Sequence, residues 1–158
     1  NYADTESLGK GTESFTDPTF LNFLARTSDV AEEVEQSLHM KLISGGSEDP
    51  DKNGTYTIYR MQVENPGKYA KAYSKLIEAQ EEAGNIAGSY GLRQHVGGSV
   101  NYYTHYAYTS AGSMEESMKS AEALYSSDSF AKFSKEVSGN RKTMNISILS
   151  NVKTYNAN

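Results

Sequence analysis

Cysteine and tryptophan are absent from the sequence, and proline occurs only 3 times in 158 residues. Without cysteine the chain has no disulfide framework, no thiol nucleophile, no iron–sulfur cluster and no cysteine-bound zinc. It does not need such staples, because a chain of this length buries roughly 70% of the surface that its unfolded form exposes. Long apolar runs are also missing. No stretch approaches the ~18 residues that a membrane-spanning helix requires, so membrane insertion is not expected. The first residues, NYADTESLGKG, lack the basic and apolar regions of a secretory signal, so any such signal is expected to be absent or removed. Basic charge is scarce too: 15 Lys and Arg against 20 Asp and Glu give a net charge of −5. The basic residues are scattered, whereas a nucleic-acid binder clusters them to displace counterions. Neither nucleic acid nor an anionic membrane is an expected partner.

The composition that remains is polar but globular. Aromatic residues make up 11% of the chain, too many for a disordered one. Domains typically hold ~100–150 residues, so the length suits one domain or one and a half small units. Abundant Ser, Asn and Tyr point towards an extracytoplasmic setting.

The clearest pattern lies in residues 55–155. TYTIYRMQV at 55–63 is rich in β-branched and aromatic residues and reads as a strand. Glu64-Asn65-Pro66-Gly67 breaks it and opens a helix. Tyr69, Ala72, Tyr73, Leu76, Ile77, Gln80 and Ala83 follow helical spacing, and Gly84 is the expected stop. YGLRQHV at 90–96 and NYYTHYAYT at 101–109 read as two strands, with Gly97-Gly98-Ser99 as a tight hairpin turn. A second helical stretch carries Met114, Met118, Ala121, Leu124 and Tyr125 on one face. Ser126-Ser127-Asp128 interrupts it and caps a new turn. Phe130, Phe133 and Val137 continue the apolar face, and Gly139 ends it. TMNISIL at 143–149 is the last strand. The order β-α-β-β-α-β predicts an α+β, ferredoxin-like unit with an antiparallel sheet over residues 51–158.

Residues 1–50 resemble the back half of another copy. SLGKGTESFTDPTFLNF parallels SMKSAEALYSSDSFAKF, with Leu8 against Met118, Phe15 against Tyr125, Phe20 against Phe130 and Phe23 against Phe133. After a longer connection over 25–37, LHMKLIS parallels MNISILS, with Leu38, Met40 and Leu42 against Met144, Ile146 and Ile148. An N-terminal helix–strand half-repeat, packing on the main unit, is therefore expected.

Strand side chains alternate between faces. Tyr59, Met61 and Val63, Leu92 and Val96, and Met144, Ile146 and Ile148 should face the helices. Ile58, Arg60, Arg93, His95, Asn145 and Ser147 then share the other, open face. A turn centred on Gly98-Ser99 adds Tyr102, Thr104, Tyr106 and Tyr108 to that face; one centred on Gly97-Gly98 instead places Tyr103 and His105 there. The open face reads either as an aromatic pocket with Arg and His at its polar end or as a sheet-to-sheet interface.

Several chemistries find little in the residues. His39, His95 and His105 are the only imidazoles, they lack His-x-x-x-His spacing and have no carboxylate partner nearby, so no metal site is expected. The loop DPDKNGT at 49–55 opens like a calcium-binding loop, but Arg60 stands where the bidentate Glu belongs. No Gly-x-Ser-x-Gly elbow or phosphate-cradling glycine loop is present. Asn53-Gly54-Thr55 and Asn145-Ile146-Ser147 match glycosylation sequons, the second inside an expected strand.

The strand order and the broken second helix, ALYSSDSFAKFSKEV, resemble the dimeric α/β-barrel superfamily, which includes the antibiotic-biosynthesis-monooxygenase-like and stress-responsive barrel proteins. The resemblance covers residues 55–155, and 7–44 more loosely. It implies two such sheets packed into a barrel, as a homodimer or as tandem repeats. It does not imply one activity, because the superfamily mixes oxygenases, isomerases and haem proteins. Haem handling is disfavoured, since the helices of the main unit hold no His and the pocket Trp of haem-degrading relatives is missing. No cofactor is expected.

Two functions are carried forward. The first is binding of a small aromatic or amphipathic molecule, or service as an assembly module, with Arg60, Ile58, Tyr102, Tyr108, His105 and Asn145 as contacts. The second is a cofactor-free monooxygenase or isomerase. There His95 is the base, its ordinary pKa being near neutrality, while Arg93 and Tyr106 hold the resulting anion. A purely structural role, with the tyrosines packed against a partner sheet and no cavity, is the third.

Overall fold

The computed structural model describes residues 5–28, 30, 37–99 and 101–152. The chain divides into two compact units, 1–36 and 37–158. The strand expected within the first 50 residues belongs to the second unit. Residues 31–36, part of the expected long connection, lie outside the described residues.

In the first unit, helix α1 (Thr5–Glu13) leads through a single 3-10 turn to α2 (Pro18–Thr27). Asp17 caps α2: its carboxylate accepts from the backbone N–H groups of Thr19 and Phe20 at 2.8 and 3.2 Å. The hydrogen bonds from Phe20 and then Thr19 hold that carboxyl below its ordinary range. Phe15 stacks on Phe20 at 5.4 Å, and Phe20 meets Phe23 at 6.4 Å.

The second unit is one antiparallel sheet of order β1-β3-β4-β2-β5, built from β1 (Ser37–Gly46), β2 (Thr55–Val63), β3 (Ser89–Gly98), β4 (His105–Ala111) and β5 (Arg141–Ser150). Its last four strands are arranged as in a ferredoxin-like unit, and β1 is added outside β3. Helices α3 (Pro66–Glu82), α4 (Met114–Ser126) and α5 (Asp128–Glu136) complete it. Asn65 caps α3 by accepting from Lys68 N–H, Pro66 occupies the first turn, and Gly84 follows at φ 70°. Ser127 caps α5 through a bond from Phe130 N–H. The rings of Tyr125, Phe130 and Phe133 meet in sequence at 4.9 and 6.2 Å, the same pairs of positions that meet as Phe15, Phe20 and Phe23.

One face of the sheet is core. Met61, Val63, Leu92 and Ala107 pack against Tyr69, Ala72, Tyr73, Leu76 and Ile77 of α3 and against Phe133 and Val137. Leu92 is fully buried, which alone contributes on the order of 1.5–3 kcal/mol.

Three expectations change. The hairpin after β3 is not tight: Gln94 pairs with His105, and a longer connection replaces the turn at Gly97-Gly98-Ser99. Gly97 and Gly98 pair with Leu38 and Ser37 instead, and Val96 is exposed. On α4 the serine stripe, not the methionines, turns inward. Ser117 is buried 3.1 Å from Thr57 Oγ1, while Met114, Met118 and Tyr125 are exposed; a hydroxyl pair allows a closer approach than two thioethers do. On β5, Ile146 and Ile148 stay partly exposed because the strand is an edge, and a register shift opposite Arg60 and Met61 adds Met144 as an extra residue.

Asn53 ties the ends of three strands together. Its amide donates to the carbonyls of Ser47 and Asp49 at 2.9 and 2.6 Å, and its oxygen accepts from Ser89 N–H and from the Ser110 hydroxyl. Gly88 lies beside it because a Cβ there would meet the Lys52 carbonyl and the backbone and hydroxyl of Ser110. Asn53→Ala should therefore cost about 1–3 kcal/mol in urea unfolding; a change near zero would mean that the loops are held by other contacts.

His105 is the one imidazole in the core. Its Nδ1 lies 2.9 Å from Thr104 Oγ1, and Nε2 is buried without a partner among the described residues. Burial pushes its pKa below the ordinary 6.5. The unfolded chain then binds the proton more readily, so stability should fall as pH drops below 6.5 and through the folded value. Unfolding free energies measured across that range should slope accordingly, and His105→Gln should flatten the slope; an equal slope in both proteins would contradict this placement.

Candidate functional site

The ladder register fixes what shares the open face. One row crosses all five strands as Asn145, Arg60, Tyr106, Arg93 and Lys41. The next row on one side brings Ile58 beside Tyr108 and Ser147. On the other side His95 lies against His39, their rings 5.5 Å apart. Arg60 donates to Ser147 Oγ at 3.0 Å and Asn145 Oδ1 at 3.3 Å, and its guanidinium lies over Tyr103 at 5.7 Å. Arg93 donates to the Ile43 carbonyl at 2.8 Å and to Tyr108 OH at 3.3 Å, and lies 5.3 Å from the Tyr108 ring centre. Gly91 makes room for this pair: a Cβ there would meet Tyr108 at 2.5 Å and Arg93 at 2.9 Å.

Of the residues singled out in the sequence, Arg60, Ile58, Arg93, Tyr106, Tyr108, Asn145 and His95 come together on this face. His105 does not; it points into the core with Met61 and Gln94 as cross-strand neighbours. Tyr102 stands before β4, its carbonyl accepting from Gln62 Nε2 at 2.8 Å. Its neighbour Tyr103 is the buried one, 2.9 Å from His39 Nε2 and 5.5 Å from the His95 ring. His39 was not among the expected contacts, because only the addition of β1 to the sheet brings it there. Burial raises the pKa of the Tyr106 phenol, opposed by Arg93, so Tyr106 is a neutral O–H donor. Among the described residues no group of three or more metal-ligating side chains converges.

The helix side holds a second site. A cavity of about 240 Å³ lies between the sheet and the helices. Its walls are small or apolar: Thr57 and Ala107 on the sheet, Ser117 and Ala121 on α4, Leu76 and Ile77 on α3. Ser117, Ser120, Ala121 and Leu124 follow one another at i, i+3, i+4 and i+7, so α4 presents small side chains to the sheet. That spacing was the available signal in the sequence. The polar groups are paired hydroxyls: Thr57 with Ser117, and Tyr125 OH donating to Tyr59 OH at 3.0 Å. Burial, and then the bond with Tyr125, push the Tyr59 phenol well above its ordinary range. Gln80, buried on the apolar face of α3, donates to Ser127 and Ser129 at 3.0 and 2.6 Å and accepts from Asn85 at 2.9 Å. No carboxylate or imidazole lines the cavity, and Arg141, its one charged group, lies over the Phe133 ring at 5.3 Å.

No protein-family model matches the chain, and no curated protein matches it. Solved structures do. One, named "putative monooxygenase" from Lactobacillus acidophilus NCFM, is 9% identical, aligns over 89% of this chain and 62% of its own, and has a TM-score of 0.55. A second of the same name, from Fusobacterium nucleatum subsp. nucleatum, is 13% identical over 93% of this chain and 64% of its own, with a TM-score of 0.54. This chain therefore spans less than two thirds of the length of either structure. At such identities the likeness speaks to the fold. The chain has a ferredoxin-like α+β fold.

Proposed function

We propose that this chain binds a small, uncharged, largely aromatic molecule in the cavity between sheet and helices. The observation that carries this reading is a space of about 240 Å³ whose polar lining is hydroxyl and amide with a single cation. An apolar cavity of about 150 Å³ already takes up benzene, so a one- or two-ring molecule suits the space. A cation buried beside Tyr59 and Thr57 would meet no carboxylate and cost several kcal/mol, and Arg141, the one cation of the lining, is already engaged with the Phe133 ring. A neutral ring with one hydroxyl or N–H would instead exchange hydrogen bonds with the Tyr59–Tyr125 or Thr57–Ser117 pair.

A second reading is cofactor-free oxygenation, favoured by the fold shared with the two structures named above. The substrate would itself supply the electrons: a CH2 group becomes C=O, one atom of dioxygen enters the product and the other leaves as water. His95 would take the first proton on the open face, with Arg93 and Tyr106 holding the carbanion. Substrate-dependent oxygen uptake that His95→Ala abolishes without loss of folding supports this reading; uptake unchanged in the variant removes it.

Indole is a suitable probe for the binding reading. It should bind by calorimetry and raise the melting temperature, and Ala121→Phe, which fills the cavity from α4, should weaken it about tenfold or more. Indole that binds the variant as well as the parent would place the ligand elsewhere.

A further inference from the structure

None of the five strands contains an Asp or a Glu, although acids outnumber bases 20 to 15 in the chain. The open face collects bases instead. Lys41, Arg93 and Arg60 fall in a single ladder row, broken only by Tyr106. Like charges directly opposite each other, as Lys41 and Arg93 are, repel. The three ion pairs among the described residues are all on helices and include neither Arg60 nor Arg93. Both guanidiniums are nonetheless partly buried and held in place by neutral partners, carbonyls, hydroxyls and ring faces. Among the described residues Arg60 donates through one terminal nitrogen, which leaves its Nε and second terminal nitrogen to offer an outside acceptor. Fixed cations with no carboxylate beside them are a preorganised oxyanion site.

We propose that the open face binds a small organic oxyanion, a carboxylate or phosphate group on a flat body, between Arg60 and Arg93 and over Tyr106. The two arginines flank Tyr106 on neighbouring strands, about 10 Å apart along the backbone row. Arg60 leans towards β5 and Arg93 towards β1, so an oxyanion over Tyr106 would have one guanidinium on either side. The half-buried rings of His39 and His95 lie one step along the strands and offer a surface for the flat part of the ligand. This site is independent of the cavity, since it uses the opposite face of the same strands.

Benzoate and inorganic phosphate, each titrated at constant ionic strength, test it. The chain has three histidines: His39 and His95 border the site, and His105 is on the far face. Benzoate should shift the imidazole resonances of His39 and His95 and leave those of His105, and phosphate should compete with it. Arg60→Gln and Arg93→Gln should each weaken benzoate about tenfold or more, while Lys75→Gln on α3 should leave it within about twofold. Indole binding checks that the arginine variants remain folded, and its failure in the parent would bear on the cavity alone. Benzoate that binds the arginine variants as well as the parent overturns the proposal. So does an absence of binding, including the case where sedimentation shows a dimer that buries this face.

Discussion

The two-residue period of a single five-stranded sheet governs everything in the second unit. Each strand residue is committed to one of two surroundings, and the ladder passes that commitment from strand to strand. Met61 faces the helices, so its partner His105 must as well, and an imidazole ends in the core. Arg60 faces away, so Tyr106, Arg93 and Lys41 follow it across the sheet. A one-residue slip anywhere would exchange the apolar face for the cationic one.

The two faces then meet different solutions to the same problem of close packing. On the helix side, small residues face one another across the layer. Thr57 against Ser117 and Ala107 near Ala121 bring α4 close but leave volume behind. On the open side, Gly91 removes a side chain so that Tyr108 and the Arg93 guanidinium lie over the strand itself. The first arrangement makes a neutral recess, and the second immobilises a cation. The neutral recess and the immobilised cation are thereby separated by the thickness of one sheet.

Much of this could be read from the residues. The helix α3 was plain from its apolar spacing, the Asn65-Pro66 start and the Gly84 stop. The break between α4 and α5 was plain from Ser127, because a serine hydroxyl that satisfies a free N–H acts locally. The alternation of Tyr59, Met61 and Val63 placed β2 correctly. What failed to show depends on contacts distant in sequence. The hairpin register differs from the expected tight turn because Gly97 and Gly98 serve β1 rather than the turn. Tyr103 replaced Tyr102 because its ring is captured by His39 and Arg60, and His39 lies 64 residues away in the chain. The cavity is not legible in the sequence because it is made by what α4 lacks, and an absence of bulk gains meaning only once the sheet opposite is known.

A crystal structure grown with indole and benzoate together tests the separation of the two faces most directly. Indole should appear between Tyr59 and α4, and benzoate on the opposite face, against Arg60 and Arg93. Both molecules on one side of the sheet, or the open face filled by a second copy of the chain with benzoate excluded, would contradict it.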